Sequence, residues 1–327
     1  MNRRLAAWSA ALLFLAACSR KAPSIVDPRG SEARTIARVW WVMFALAAAV
    51  YVVVGGLIVI ASLRGRRTRE GRPSRISDSR FIWVGGILVP TAILAVLAVE
   101  TVHAAGELRR PERAPLRIEV VGKQWWWAVS YPDQNVTTAN EIHVPVGRQV
   151  EIGLTTTDVI HSFWVPQLAG KLDNIPGQRN VLRFTAQRPG TYRGECAEYC
   201  GVQHARMDFV VIADRAGDFT RWMTRRQSLG TEPASDQAAL GRVVFERSAC
   251  AGCHTITGTA ATGTLGPDLT DFGGRTTIGA GTVPNTRGNL AGWIVNAQSI
   301  KPGNVMPPIA LEPAEADAVV TYLESLK

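Results

Sequence analysis

The sequence predicts three structural units in one chain: a two-helix membrane hairpin, an all-β domain and a small all-α domain. Three observations predict them. The runs 39–63 and 81–99 contain no charged residue over 25 and 19 positions, and a spanning helix needs roughly 20 apolar residues. Residues 116–213 alternate in polarity and are rich in β-branched and aromatic side chains, the period of half-buried strands. The polar stretch 226–237 (RQSLGTEPASDQ) then separates them from an acidic, glycine-rich segment with helical patterning at both ends.

Taken in order, residues 1–17 read as an export signal. Arg3 and Arg4 precede an apolar stretch that ends in small residues. Leu15-Ala16-Ala17-Cys18 resembles the lipobox of bacterial lipoproteins, which implies a lipid anchor on Cys18. The alternative is an ordinary signal that happens to contain a cysteine. Residues 18–35 form an outer segment and 36–104 the hairpin, with a cytoplasmic loop at 64–80. That loop carries seven arginines and two acids, so the positive-inside rule places it in the cytoplasm and both termini outside. The export signal demands the same side. Pro90 lies inside the second run, where a membrane helix tolerates it. The net charge of +9 comes largely from residues flanking these runs. It argues for a membrane protein and against a nucleic-acid partner.

Residues 105–225 make the outer β domain. The segments 116–131, 141–158, 180–193 and 207–213 are strand candidates, with Pro189-Gly190 as a turn. Short strands between turn signals suggest a sandwich or barrel. At its end stands Cys196-Ala-Glu198-Tyr-Cys200-Gly-Val-Gln-His204-Ala-Arg-Met207, with His161 upstream. Two thiolates, two imidazoles and a thioether form a soft donor set, which favours copper. A single-copper blue site uses one cysteine, and here there are two. Two thiolates can bridge two metal ions, each completed by a histidine, with Met207 and a loop carbonyl as weak ligands. Such a shared core rearranges little when its charge changes by one electron. A Cys196–Cys200 disulfide and a zinc site stay as alternatives.

Residues 238–327 contain Cys250-Ala-Gly-Cys253-His254, the attachment signature of a c-type haem. Two thiols bond the haem covalently and the histidine reaches the iron. A zinc or redox motif is the alternative. Residues 238–248 and 312–326 read as helices, the second with Pro313 in its first turn; the stretch from the haem motif to Met306 reads as loop-rich. Met306 is the only methionine after the motif, and methionine opposite histidine raises a haem potential. His103 and His143 suggest no function.

The pattern His161…Cys196-x-Glu198-x-Cys200-x-x-x-His204-x-x-Met207 after a two-helix hairpin resembles cytochrome c oxidase subunit II. The likeness covers roughly residues 36–225. It implies a cupredoxin domain with a binuclear copper (CuA) centre. By that match Cys196 and Cys200 bridge the coppers and His161 and His204 are terminal ligands. Met207 and the Glu198 carbonyl are the weak ones, and the Glu198 carboxylate reaches a magnesium ion shared with subunit I. In Trp125-Trp126-Trp127 the first indole would be an electron-entry contact, strand packing being the alternative. Asp158 and Asp173 match acids near a docking surface. The acid that relatives often place at the cytoplasmic start of the second helix is missing: Arg80 stands there, Asp78 is nearest, and Glu100 is at the wrong end.

The last segment resembles class I cytochrome c, with His254 and Met306 as iron ligands. Together these imply the electron-transfer subunit of a proton-pumping haem–copper oxidase in a bacterial plasma membrane, with both outer domains on the periplasmic face. Implied partners are subunit I, subunit III, a c-type cytochrome donor and lipid. Oxygen reduction lies outside this chain. Quinol oxidase relatives lack the cysteines. The rival class is a copper-handling or redox-thiol assembly factor, whose usual α/β pattern residues 116–213 do not show. A CuA protein of nitrogen-oxide reduction is a third reading.

Overall fold

The structure is a computed structural model and describes residues 23–65, 77–228 and 232–327. The export signal, Cys18 and loop residues Arg66, Arg67, Arg69, Arg72 and Arg75 lie outside the described residues. Helices α1 (Ser31–Gly65) and α2 (Asp78–Leu108) contain the two apolar runs, with mean hydropathies of 2.6 and 2.4 over 18-residue windows. Helix α1 begins eight residues before its apolar run because its first two turns belong to the outer domain. Ala33 and Ala37 are buried, the Ala33 N–H bonds the Leu168 carbonyl, and the Glu32 carboxylate accepts from the Thr185 N–H. Across the hairpin Glu107 accepts from Arg38 and Thr35 at 3.0 and 3.1 Å, with His103 3.7 Å away. That pairing accounts for His103. Residues Ile82–Leu88 of α2 form a wide π turn directly before Pro90, a proline that has no N–H to give the ladder.

Ten strands follow: β1 (Leu116–Lys123), β2 (Trp126–Tyr131), β3 (Val136–Ala139), β4 (Glu141–Pro145), β5 (Val150–Thr156), β6 (His161–Trp164), β7 (Leu172–Asn174), β8 (Asn180–Phe184), β9 (Gly190–Cys196) and β10 (Asp208–Asp214). They form two five-stranded sheets, ordered β3-β2-β1-β5-β8 and β4-β10-β9-β6-β7. Pairs β1–β5 and β4–β10 are parallel and the rest antiparallel. Alternation puts Leu116, Ile118 and Val120 of β1 inside. Trp127, Tyr131, Phe163, Phe184 and Phe209 fill the space between the sheets, and burying such a side chain contributes roughly 1.5–3 kcal/mol. Helix α3 (Ala216–Gln227) closes one end with Trp222. His143 stacks on that indole at 4.1 Å and bonds Asp214 at 2.7 Å, which makes it a packing residue.

The last unit holds α4 (Asp236–Arg247), a single turn α5 (Cys250–Cys253), a short ribbon β11 (Thr277–Ile278) with β12 (Val283–Pro284), α6 (Arg287–Ile300) and α7 (Pro313–Ser325). Ser235 caps α4, and Glu312 with Glu315 forms a capping box before Pro313 in α7. Helix α6 is a regular element within the otherwise loop-rich stretch between the haem motif and Met306, one that the sequence alone does not predict. Gly288, Gly292 and a kink at Asn296 weaken its sequence signal. Its core face of Leu290, Ile294 and Ala297 is nevertheless buried, and Thr286 caps it by accepting from the Asn289 N–H.

Candidate metal centre

The polar donors of the outer domain meet where β6, β9 and the loop into β10 converge. Cys196 ends β9, and its N–H bonds the Met207 carbonyl. The next N–H, of Ala197, bonds Ser162 in β6. These bonds set the Cys196–Met207 loop against His161, the first residue of β6. Around the pair the distances are short. Cys196 Sγ lies 3.8 Å from Cys200 Sγ, 3.8 Å from His161 Nδ1 and 3.3 Å from the Glu198 carbonyl. Cys200 Sγ lies 3.6 Å from His204 Nδ1 and 3.8 Å from Met207 Sδ. All six donors named from the sequence are therefore brought together. His161, Cys196, Cys200 and Met207 are buried. The cysteines are free thiols.

The electrostatics suit metal binding. The Cys200 thiol donating to the Cys196 sulfur pulls Cys196 well below an ordinary thiol, despite burial, and the same bond raises Cys200. The first proton of the pair is lost easily and the second is held until a cation replaces it. Burial opposes charge on His161, but Cys196 and Asp158 outweigh it and raise its pKa. Asp158 is lowered: burial works against its charge, while His161 and the Gln124 and Val159 amides outweigh that. Two thiols, two imidazoles, a thioether and a carbonyl within about 4 Å of their neighbours fit a two-copper thiolate core better than a four-donor zinc site.

The remaining acids and indoles lie around this core. Asp158 is exposed, yet its carboxylate is engaged at the site. Its Oδ1 lies 2.8 Å from His161 Nε2, and its Oδ2 accepts from the Gln124 N–H at 2.7 Å. It therefore aims Nδ1 of His161 at the sulfurs. Asp158→Asn is expected to lower copper affinity roughly 10–100-fold, the usual cost of losing a ligand's orienting partner, as read by copper titration of the full chain. Asp173 is half-buried, 4.0 Å from Lys171. The Glu198 carboxylate is exposed, 3.6 Å from the same ammonium. The three indoles separate. Trp127 is core, Trp126 lies under Lys123 at 5.1 Å, and Trp125 donates from Nε1 to the Cys200 carbonyl at 3.1 Å.

Some functional residues carry no clear mark in the sequence. Gln124 also donates to the Cys200 carbonyl, at 2.7 Å. Gly122 packs so closely that an added Cβ would stand 2.7 Å from His161. Lys301 reaches this region from the last unit. Burial pushes its pKa down to about 7, against the pull of Asp208, and three backbone carbonyls accept from its Nζ. Only the apolar–polar alternation around Lys123-Gln124 hints at a turn beside the site.

At the second motif Cys250 and Cys253 occupy a single helical turn, and His254 follows. His254 Nδ1 lies 2.8 Å from the Pro267 carbonyl, which leaves Nε2 as its ligating nitrogen. Burial pushes the His254 pKa down and keeps the ring neutral. Gly266 lies against it, where a Cβ would come within 2.5 Å of the ring. The Met306 loop is fixed by its own backbone: Asn304 Oδ1 accepts from the Met306 N–H at 2.8 Å, and Gln298 donates to the Met306 carbonyl at 3.0 Å. Paired thiols beside a pinned, neutral imidazole fit a covalently attached haem.

Comparison with known proteins gives the same picture. Residues 134–214 match the family described as cytochrome C oxidase subunit II, periplasmic domain, and residues 238–327 match cytochrome c. Cytochrome c oxidase subunit 2 of Alkalihalophilus pseudofirmus is 35% identical, over 96% of this chain and 94% of that protein. The protein of the same name from Bacillus subtilis is 32% identical, over 81% of each. A crystal structure of the periplasmic domain of subunit II of cytochrome oxidase of Bradyrhizobium japonicum is 32% identical. It covers 36% of this chain and 96% of that one at a TM-score of 0.34. With its hairpin, sulfur-rich β domain and haem-motif domain, the chain belongs to the cytochrome c oxidase subunit II family, as a member with a C-terminal cytochrome c domain.

Proposed function

We propose that this chain passes electrons from a cytochrome c donor, by way of its own haem c and a binuclear copper centre, to the haem of subunit I in a proton-pumping oxidase. Oxygen is reduced to water in subunit I, not here. The convergence of Cys196, Cys200, His161, His204, Met207 and the Glu198 carbonyl carries the proposal. Two coppers held here would supply a one-electron couple. Cys196 and Cys200 would hold both metals, His161 and His204 would complete one each, and Met207 and the Glu198 carbonyl would be weak ligands. Trp127, with Phe163 and Phe209 beside it, walls the site on the His161 side and excludes water. Asp158 holds His161 in place, which limits movement when the charge changes. Cys250 and Cys253 would bond the haem, with His254 and Met306 on the iron. Trp125, bonded to the Cys200 carbonyl, is placed to couple electrons into the site.

The two apolar helices and the arginine-rich loop between them support a multi-pass position in a bacterial plasma membrane with both outer domains on the periplasmic side, and the run Leu15-Ala16-Ala17-Cys18 supports a lipid anchor on Cys18. Subunit I covers the Glu198 side, and subunit III completes the complex. A magnesium ion needs about six oxygens. Glu198 offers one carboxylate beside Lys171, so subunit I would have to supply most of the cage.

The test is copper stoichiometry with electron paramagnetic resonance on the full chain in its oxidase. The expected result is two coppers sharing one unpaired electron. One copper with a localised spin, or a thiol pair that hands copper to an acceptor, would overturn the proposal in favour of an assembly factor.

A further inference from the structure

We infer that the haem domain does not swing on its linker but is clamped to the copper-site loops in one pose, with Lys301 as the positioning residue. The inference rests on the electron-relay reading and concerns how the two sites are held. Lys301 follows α6, and its side chain is buried. Its Nζ donates to three carbonyls: Trp125 at 2.9 Å, Arg206 at 2.6 Å and Gly279 at 2.8 Å. An ammonium has three protons and no acceptor, so this cradle satisfies it completely. Two of the carbonyls belong to the β domain. One is on the residue whose indole bonds Cys200, and the other lies between His204 and Met207. Pulling the domains apart would break two of these three charge-assisted hydrogen bonds, which are the stronger kind.

A second set of contacts joins the domains independently. Glu141, buried in β4, accepts from the Thr276 N–H at 2.8 Å and its hydroxyl at 2.7 Å. The Asp208 N–H, at the start of β10, bonds the Ala280 carbonyl at 3.0 Å. Ala280 has φ +59°, a left-handed conformation that a non-glycine residue holds only when its surroundings enforce it. Here the enforcing surroundings include the other domain.

The clamp also reaches the haem ligand. Asn304 N–H bonds the Lys301 carbonyl, and Asn304 Oδ1 holds the Met306 N–H. One short segment thus links the Met306 loop to the His204–Met207 loop. Two consequences follow. Transfer between haem and copper does not wait for domain diffusion. The backbone at Trp125 is covered by the chain's own haem domain, so a soluble donor delivers its electron to the haem.

The test uses the full chain in its oxidase, wild type and Lys301→Met. The first readout needs no metal: amide hydrogen exchange at Asp208 and Thr276, both bonded across the interface. In the wild type these exchange as slowly as Val210, whose N–H bonds Asn140 within the β domain. In Lys301→Met they exchange at least tenfold faster while Val210 and the amides of α4 and α7 hold. The second readout is haem-to-copper transfer after photoreduction. It is independent of solvent viscosity in the wild type. In the variant it is at least tenfold slower and viscosity-dependent, with unchanged optical and paramagnetic spectra. Glu141→Ala, which leaves every haem-domain side chain in place, speeds exchange at Asp208, whose acceptor it does not touch, and shifts the transfer readout the same way; it carries the test should Lys301→Met unfold. Unprotected Asp208 and Thr276 in the wild type, or both variants behaving as wild type, overturn the clamp. A wild type lacking the two-copper signal would sink the relay reading, while amide exchange still judges the clamp.

Discussion

Cys200→Ser is expected to leave a folded chain that no longer holds two coppers and no longer passes electrons to oxygen. Cys200 Sγ sits within 3.8 Å of Cys196, His204 and Met207, so three of its neighbours lose their common partner at once. Serine offers a hard, protonated oxygen, which is a poor copper ligand. Its buried hydroxyl costs about 1–3 kcal/mol, tolerable against the roughly 5–15 kcal/mol that holds a domain. The functional loss is much larger. Removing a bridging ligand should exceed the roughly 10–100-fold that an orienting partner contributes. Copper per chain and oxygen uptake with a cytochrome donor are the measurements. Two coppers and undiminished uptake in the variant would refute the bridging role.

Met306→Leu is the second large effect. The hydrogen bonds of Met306 itself involve only its backbone, so leucine keeps the loop and removes only the thioether. Axial ligands set haem potentials over a span of about 0.8 V, and methionine raises them. A fall on the order of 0.1 V or more is expected. At about 59 mV per tenfold for one electron, that makes reduction of the haem by its donor roughly 50-fold less favourable. Redox titration of the full oxidase checks it, and an unchanged potential would remove Met306 from the iron. The visible spectrum of the attached haem should persist, because Cys250 and Cys253 are untouched.

Both predictions rest on residues that stand out in the sequence, and the reason is local. The Cys196–Met207 donors lie within 12 positions, the haem motif within five. The two membrane runs are legible because the bilayer sets their length. Strand alternation exposes the β domain because one face of each strand is buried. Helix α6 is not legible in this way. Its glycines and the Asn296 kink lower its propensity, and only packing of Leu290, Ile294 and Ala297 decides it. Asp158 looks like a solvated loop acid, for nothing in Thr155-Thr156-Thr157-Asp158 shows that β6 turns His161 back onto it.

Lys301 is the sharpest case. In sequence it is a lysine before Pro302-Gly303, indistinguishable from a surface residue. Its partners lie 176, 95 and 22 positions away. Residue chemistry and short spacing were enough for the spans, the donor types and the haem motif, since those depend on neighbours along the chain. Tertiary structure alone decided that Asp158 orients His161 and that the haem domain rests on the copper-site loops. Each of these depends on which buried polar groups meet across distant segments, and satisfying such groups is a property of the whole packed interior.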